Sequence, residues 1–471
     1  VKLYETLAAD LAAMIDSGAL RPGERLPSVR QLRERRQLSA STVFHALYQL
    51  EARGLIVARP RSGYFVAPRR AHAALEPELS APPMDAQDVD SSDLIFNILG
   101  AACDRAIVPF GSAFPNPELF PLAALSRAIA GEMRQLDPWS TVADLTPGNA
   151  ELRRFIARRY QQDGADVGAD DVVITNGALE ALTLCLQAVT RPGDTVLVES
   201  PTFYATLQAL ERLGLRAAEV PTHPRDGVDI DALAAAIARH RPAAAWLMTS
   251  FQNPLGSTVP DQRRRQLVDL LAHAQVPLVE DDVYAELYFG RRPLLTKSLD
   301  RDGLVLHCGS FSKCLAPGYR IGWAVPGRHT RTVQKLKLAS SLGAPLPSQL
   351  ALAAYLGKGT YEKHLRQLRH ALAGQRDAML DGVARYFPAG TRVARPEGGY
   401  FLWVELPQEC DALALHRAAL EQGIGIAPGP IFSASGGFHH CIRLNYGQGW
   451  TTRHQAALQA VGALASSFQC R

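Results

Sequence analysis

Lysine is nearly missing from this sequence, with seven against 43 arginines in 471 residues. Genome composition accounts for the bias, but it has a local consequence: a lysine in a chemically suggestive place stands out. Cysteine is sparse too. Cys103, Cys185, Cys308, Cys314, Cys410, Cys441 and Cys470 are odd in number and scattered, with no CxxC pair. That argues against a disulfide framework or a zinc site, and for reduced thiols in a cytoplasmic protein. No run of 18 or more apolar residues occurs, and no charged-then-apolar leader, so transmembrane and secretory readings fall away. The chain opens on Val1, as a trimmed start would. What is present, 47% hydrophobic and 20% charged residues, is ordinary globular composition. The length asks for about two to four structural units.

Net charge is +4 but unevenly spread. Residues 1–70 hold twelve Lys/Arg against six Asp/Glu, which leaves the remainder slightly acidic. A localised basic block is an electrostatic footprint for nucleic acid. Within it Leu3, Leu7, Leu11 and Ile15 repeat at helical spacing, with Gly18 as a stop. Ser28 reads as an N-cap opening a short helix to about Arg36. Ser39 opens a further helix from Ala40 to about Ala52, before Gly54. Two β-like stretches, Leu55–Arg59 and Tyr64–Ala67, flank the turn PRSG. Three helices and a two-stranded wing predict a winged helix-turn-helix over residues 1–68. In that geometry the third helix enters the major groove of double-stranded DNA, with Ser39, Ser41, Thr42 and His45 toward the bases. Arg30 and Arg33 before it, and Arg59 and Arg61 on the wing, suit phosphate contacts. Charge alone fits a solvated basic bundle equally well. The whole pattern SGALRPGERLPSVRQL…SASTVFHALYQLEARGLIVARPRSGYFV, however, resembles the DNA-binding domain of GntR-type bacterial repressors, which implies operator DNA as a partner.

From Pro68 to Ser92 periodicity is lost, and residues 69–108 read as an extended linker. Beyond it, helices alternate with short apolar runs: Val172–Thr175, Thr195–Val198, Ala244–Thr249, Pro277–Glu280, Val305–His307 and Trp323–Val325. This alternation predicts an α/β domain over residues 109–471 with a mostly parallel central sheet. Its large part extends to about residue 345, and a smaller C-terminal α/β part follows from about 346. Ligands in such sheets bind beyond the carboxyl ends of the strands, so the residues after each run carry the chemistry.

TNGALEAL (175–182) opens a helix, where Gly177, Ala178 and Leu179 offer backbone N–H groups and a positive dipole to a phosphate. ESPTFY offers Phe203 as a ring able to stack on a flat group. SFQNPLG supplies Asn253, and EDDVYAE supplies Asp281 and Tyr284. GSFSK supplies Ser310, Ser312 and Lys313, and Arg320 follows. Each piece alone is common, and a lone buried lysine is more often paired structurally than catalytic. Together, in this order, they match what pyridoxal 5′-phosphate requires. It needs an amine for its aldehyde, a carboxylate at its pyridine nitrogen, donors for its phenolate oxygen, and hydroxyls, amides and an arginine for its phosphate.

The set NPLG…EDDVY…SFSKCLAPGYRIGW…IRLNYG resembles fold-type I aminotransferases of the aspartate aminotransferase superfamily from about residue 110 to the end. The resemblance implies that Lys313 carries the cofactor and Asp281 meets the pyridine nitrogen. It gives Tyr284 and Asn253 to the phenolate oxygen and Phe203 to the ring face. Gly177, Ala178, Leu179, Ser310, Ser312 and Arg320 would surround the phosphate, and Lys313, Asp281 and Tyr284 would be the catalytic residues. Arg443, in CIRLNYG, would grip the α-carboxylate of a ligand bidentately. One departure stands out: TVADLTPGNAELRRF lacks the tyrosine usually found a few residues before P-G-x-x-x-L-R, which often reaches the neighbouring subunit's phosphate. A GntR-type head joined by a linker to such a domain is the MocR-type regulator architecture, which implies a homodimer that senses an amine or amino acid. A working aminotransferase with a fused DNA-binding head is the alternative. A cofactor-free dimerisation scaffold is the third reading, disfavoured because every cofactor-facing residue type is present.

Overall fold

The computed structural model describes residues 3–16, 20, 24–52, 55–59, 63–66, 75–100, 106–143 and 145–468. The chain divides into two units, Val1–Ala73 and Ala74–Arg471. In the first, α1 (Leu3–Asp16), α2 (Val29–Arg36) and α3 (Ala40–Ala52) precede an antiparallel pair, β1 (Ile56–Arg59) and β2 (Gly63–Val66). Ser28 caps α2: its hydroxyl accepts from Gln31 N, and the Gln31 side chain accepts from Ser28 N. This reciprocal box satisfies amides that a helix start leaves open. The helix stops where Gln37 turns left-handed at φ 51°. Ser39 caps α3 by accepting from Thr42 N at 3.1 Å. Leu7, Leu11, Leu32, Val43, Leu47, Leu50, Ile56 and Val66 share one core. The expected winged helix-turn-helix is therefore present; Gly18, Gly54, Ala67 and residues 60–62 of the wing turn lie outside the described residues.

The second unit is built on a nine-stranded sheet. Its order is Gln87–Asp88, Arg216–His223, Thr195–Ser200, Ala244–Leu247, Leu278–Asp281, Val305–Ser310, Gly322–Val325 and Val173–Thr175, with Gly227–Val228 pairing beside Arg216–His223. The run from Arg216–His223 to Val305–Ser310 is parallel throughout. Gly322–Val325 is antiparallel to both of its neighbours. Helices cover both faces, so Val196–Val198, Ala244–Leu247 and Leu278–Val279 are inaccessible to water and read as unbroken apolar runs. The smaller C-terminal part is a four-stranded antiparallel sheet of Arg392–Val393, Phe401–Glu405, Cys441–Asn445 and Ala427–Pro428. The helices Tyr361–Tyr386, Ala412–Glu421 and Thr452–Phe468 belong to it.

Two expectations change. The strand Arg216–His223 has no counterpart among the apolar runs, because RAAEVPTH interrupts its small apolar residues with charge and proline. Of the linker expected over residues 69–108, the described residues 75–100 are tied to the α/β unit at several points. Gln87–Asp88 adds to the sheet edge, and Ser80 Oγ donates to Ser200 O at 2.6 Å. The helix Ser92–Gly100 is anchored by the Glu211 carboxylate, which accepts from Ser91 N, Ser92 N and Ser92 Oγ. Ile95 is fully buried beside Tyr204, Trp403 and Phe432. A segment that adds a layer to an existing surface needs few apolar residues, so it shows little periodicity. Val108–Pro109 pairs with Ile424–Gly425, which ties the front of the domain to its C-terminal part. Among the described residues no helix is long and apolar enough to cross a membrane.

Candidate functional site

At the carboxyl ends of the parallel strands lies a cavity of about 240 Å³, lined by Phe114, Ala178, Leu179, Phe203, Tyr204, Asp281, Tyr284, Ser310, Ser312, Lys313 and Arg320 among others. Strand alternation decides which acid of Glu280–Asp281–Asp282 faces it, since neighbouring side chains point to opposite sides. Asp281 lines the cavity. Glu280 and Asp282 lie against His307 instead, whose Nε2 is 3.0 Å from Asp282 Oδ2 and 3.7 Å from Glu280 Oε2. Asp281 is buried and its Oδ1 has no hydrogen-bond partner. Burial pushes its carboxyl up to about 7, against the pull of Val283 N and the Lys313 charge.

Lys313 sits in the turn after Val305–Ser310, where Nζ donates to Ala113 O at 3.0 Å and lies 3.9 Å above the Phe114 ring centre. Burial lowers its ammonium to about 7; Asp281 opposes that shift, while Arg443 and Arg320 add to it. An amine that sheds its proton near neutrality is a competent nucleophile for a carbonyl. Opposite it, Gly177 at φ 83° leads into the helix Ala178–Val189. A Cβ on Gly177 would come within 2.5 Å of Arg320 Nη2, and one on Gly322 would strike Gly177 C and Ala178 N. Only glycine permits that approach. The helix start, Arg320 and Ser312 Oγ, which is buried without a partner, form a cradle for a dianion. Ser310 is more committed: its Oγ donates to Ile321 O and accepts from Ser312 N, both at 3.0 Å.

Tyr284 is buried, edge-on to Tyr400 and Phe401. Asn253 and Arg443 form a deeper layer: Arg443 Nη1 donates to Asn253 Oδ1 at 2.9 Å, and Asn253 Nδ2 is buried without a partner. Arg443 Nη2 donates to the carbonyls of Gly111 at 2.5 Å and Ser112 at 3.3 Å, leaving only Nε without a partner. A fully buried guanidinium needs acceptors, and these carbonyls supply them. The stretch Gly111–Phe114 thus lies across the site; Ala113 O also accepts from Tyr400, and Phe114 O from Asn445 and Gln448. Sequence reasoning missed this stretch and Tyr204. FGSAFPNP carries no charge and no motif, and only the small residues Gly111, Ser112 and Ala113 hint at a close approach.

In the first unit, Ser41, Phe44, His45 and Tyr48 form the exposed stripe of α3, opposite the buried Val43, Ala46, Leu47 and Leu50. Ser39 Oγ lies 2.9 Å from Ser41 Oγ and 2.8 Å from Thr42 Oγ1, and His45 Nδ1 lies 2.9 Å from Ser41 O. On α2, Arg30 and Arg33 are exposed, and Arg30 pairs with Glu34 at 3.0 Å. Arg59 falls in β1, and its side chain and the whole of Arg61 lie outside what the structure describes.

Comparison with known proteins follows the same division. Residues 137–461 match the family described as aminotransferase class I and II, and residues 3–66 match bacterial regulatory proteins of the gntR family. An uncharacterized HTH-type transcriptional regulator of Escherichia coli, YdcR, is 47% identical over 98% of this chain and 99% of its own length. The 2-aminoadipate transaminase of Thermus thermophilus is 35% identical over 72% of this chain and 85% of its own. The crystal structure of LysN, an alpha-aminoadipate aminotransferase of Thermus thermophilus complexed with N-(5'-phosphopyridoxyl)-L-leucine, is similar with a TM-score of 0.71. It is 31% identical and covers 81% of this chain and 100% of that one.

Proposed function

The chain belongs to the aminotransferase class I and II family and carries a domain of the bacterial gntR regulatory family in front of it, and we propose that it is a cytoplasmic DNA-binding transcriptional regulator of MocR type whose pyridoxal phosphate domain senses an amine or amino acid. One observation carries the reading: a capped helix-turn-helix shares its chain with a cavity whose buried polar atoms lack partners where the cofactor needs them. Asp281, whose Oδ1 is without a partner, would hold the pyridine nitrogen. Asn253 Nδ2 and the Tyr284 hydroxyl would serve the phenolate oxygen, and Phe203 would cover the ring. Gly177, Ala178 and Leu179, with Ser310, Ser312 and Arg320, would hold the phosphate. Bound there, the cofactor supplies an aldehyde and an electron sink. Lys313 supplies the amine that tethers it, and Arg443 recognises a ligand carboxylate.

The partner surface follows from exposure. Trp139, Val142, Leu145, Leu338 and Leu342 are exposed apolar residues of one unit, and Thr146 joins their two segments by donating to Leu342 O. A second copy covers them, and the homodimer presents two heads to paired half-sites. Sedimentation should show Leu342→Glu as a monomer; a persistent dimer would place the interface elsewhere. The effector acts by favouring one of two arrangements of the heads.

The deciding experiment is an anisotropy titration on the chain's own upstream DNA against scrambled DNA, with and without a panel of amino acids and amines. Alongside it, turnover is measured with an amino donor and a 2-oxo acid. Specific binding that an amino compound modulates supports the regulator. Equal affinity for both DNAs, with steady turnover, would make the chain an aminotransferase.

A further inference from the structure

α3 carries no arginine or lysine along its length. Yet the bidentate arginine contact to guanine is the commonest specific base contact a groove-reading helix makes. Its outward stripe runs Ser41, Phe44, His45, Tyr48, and Ser41 and His45 already make hydrogen bonds within the head. The hydroxyls of Ser41 and Thr42 meet Ser39 Oγ. The His45 ring is tied to Ser41 O and lies 5.7 Å from the Tyr4 ring.

Phe44 differs. It is 40% exposed, and its ring stacks on that of Tyr48, which is 59% exposed, with centres 6.3 Å apart and planes 27° apart. The i, i+4 spacing lets Tyr48 steady the Phe44 ring from one side. The other side is left as apolar surface in the first two turns of the helix. The occupant of this face is nucleic acid rather than a protein, because the neighbouring α2 exposes Arg30, Arg33, Arg35 and Arg36. In the major groove the apolar group within reach of a phenyl ring is the C5-methyl of thymine.

We propose that Phe44 reads thymine methyl groups, so that the base steps under α3 are A·T pairs rather than guanines. This rests on the DNA-binding reading above and adds its base chemistry. The test uses full-length protein and an operator selected from a random DNA pool. Each thymine is replaced in turn by deoxyuridine, which removes the methyl and nothing else. At the thymine that meets Phe44 the swap should weaken wild-type binding about fourfold, the worth of one buried methyl group. Phe44→Ala should bind the thymine site more weakly and become indifferent to the swap, whereas Phe44→Leu should retain part of the discrimination. Phe44 stands outside the core of Leu7, Leu11, Val43 and Leu47, so both variants should fold. A flat deoxyuridine scan in the wild type, or undiminished discrimination in Phe44→Ala, would overturn the inference while leaving operator binding in place. A pool that yields no preferred sequence would overturn the DNA-binding reading, and this inference with it.

Discussion

Asp281→Asn should make the cofactor-free protein more stable above neutral pH and the cofactor-loaded protein less stable. Burial holds the Asp281 carboxyl at about 7 against an ordinary 3.8. Between those two values the folded chain keeps a proton that the unfolded chain has released, so stability falls as pH rises through that window. Each pH unit is worth about 1.4 kcal/mol, and roughly three units give about 4 kcal/mol lost by neutrality. Lys313 works on the other limb. Its ammonium, lowered to about 7 from 10.5, releases in the folded chain a proton that the unfolded chain keeps, so stability recovers as pH rises above 7. The cofactor-free domain therefore has a stability trough near neutrality. Asparagine keeps the size of the side chain and removes the charge that burial penalises, which abolishes the acid limb. The assay is urea denaturation of full-length wild type and variant, both stripped of cofactor, followed by tryptophan fluorescence across that pH range. The two should converge at the acid end, with the variant ahead by a few kcal/mol at pH 8. Saturating pyridoxal phosphate should reverse the order, because a ligand stabilises the folded state in proportion to its affinity and the variant lacks the acid at the pyridine nitrogen. Cofactor-free curves that run parallel at every pH would refute the burial argument.

Borohydride reduction and peptide mapping should place the pyridoxyl group on Lys313; an adduct on the buried Lys297 or Lys337 would relocate the site. Lys313→Ala should still hold the cofactor through its phosphate, without the covalent link. Arg443→Ala should abolish the absorbance response to carboxylate-bearing ligands and cost about 1–3 kcal/mol in stability, since the Gly111 and Ser112 carbonyls and Asn253 Oδ1 lose their donor. An unchanged ligand titration would mean that the effector binds by another route. Arg30→Ala should lower the salt slope of DNA binding by about one if Arg30 meets a phosphate, and leave sequence preference alone. A shift in preference would show it on a base.

The site was legible wherever a residue type had to follow directly on a buried strand. Lys313 and Asp281 stood out because two-sided burial turns parallel strands into apolar runs whose carboxyl ends can be seen, and polar residues there must have a use. The head was legible because its caps are local: Ser28 and Gln31 are three residues apart, as are Ser39 and Thr42. What escaped is decided by contacts distant in sequence. Ser91 and Ser92 become a helix start only because the Glu211 carboxylate meets them. Arg216–His223 is held as a strand by its hydrogen-bonded neighbours rather than by its own pattern. The occupation of Arg443 by Gly111 and Ser112 left no local trace beyond the small size of those residues.

That last contact constrains what the domain can sense. Two cations of the site, Lys313 and Arg443, are held by carbonyls of the single stretch Gly111–Phe114. On the proposed function, tethering a cofactor would take Lys313 from Ala113 O. A plain amine asks nothing further, and leaves Arg443 on Gly111 and Ser112. A carboxylate would claim Arg443 as well, and so free the carbonyls of Gly111 and Ser112 from it. The same stretch is bound at both flanks to the C-terminal part, through Val108–Pro109 beside Ile424–Gly425 and through Phe114 O to Asn445 and Gln448. Release is therefore delivered to the small sheet that carries Arg443 itself, in the strand Cys441–Asn445. On the proposed reading an amino acid and a simple amine of equal affinity would produce different conformational responses, because only the amino acid competes for the guanidinium that Gly111 and Ser112 hold.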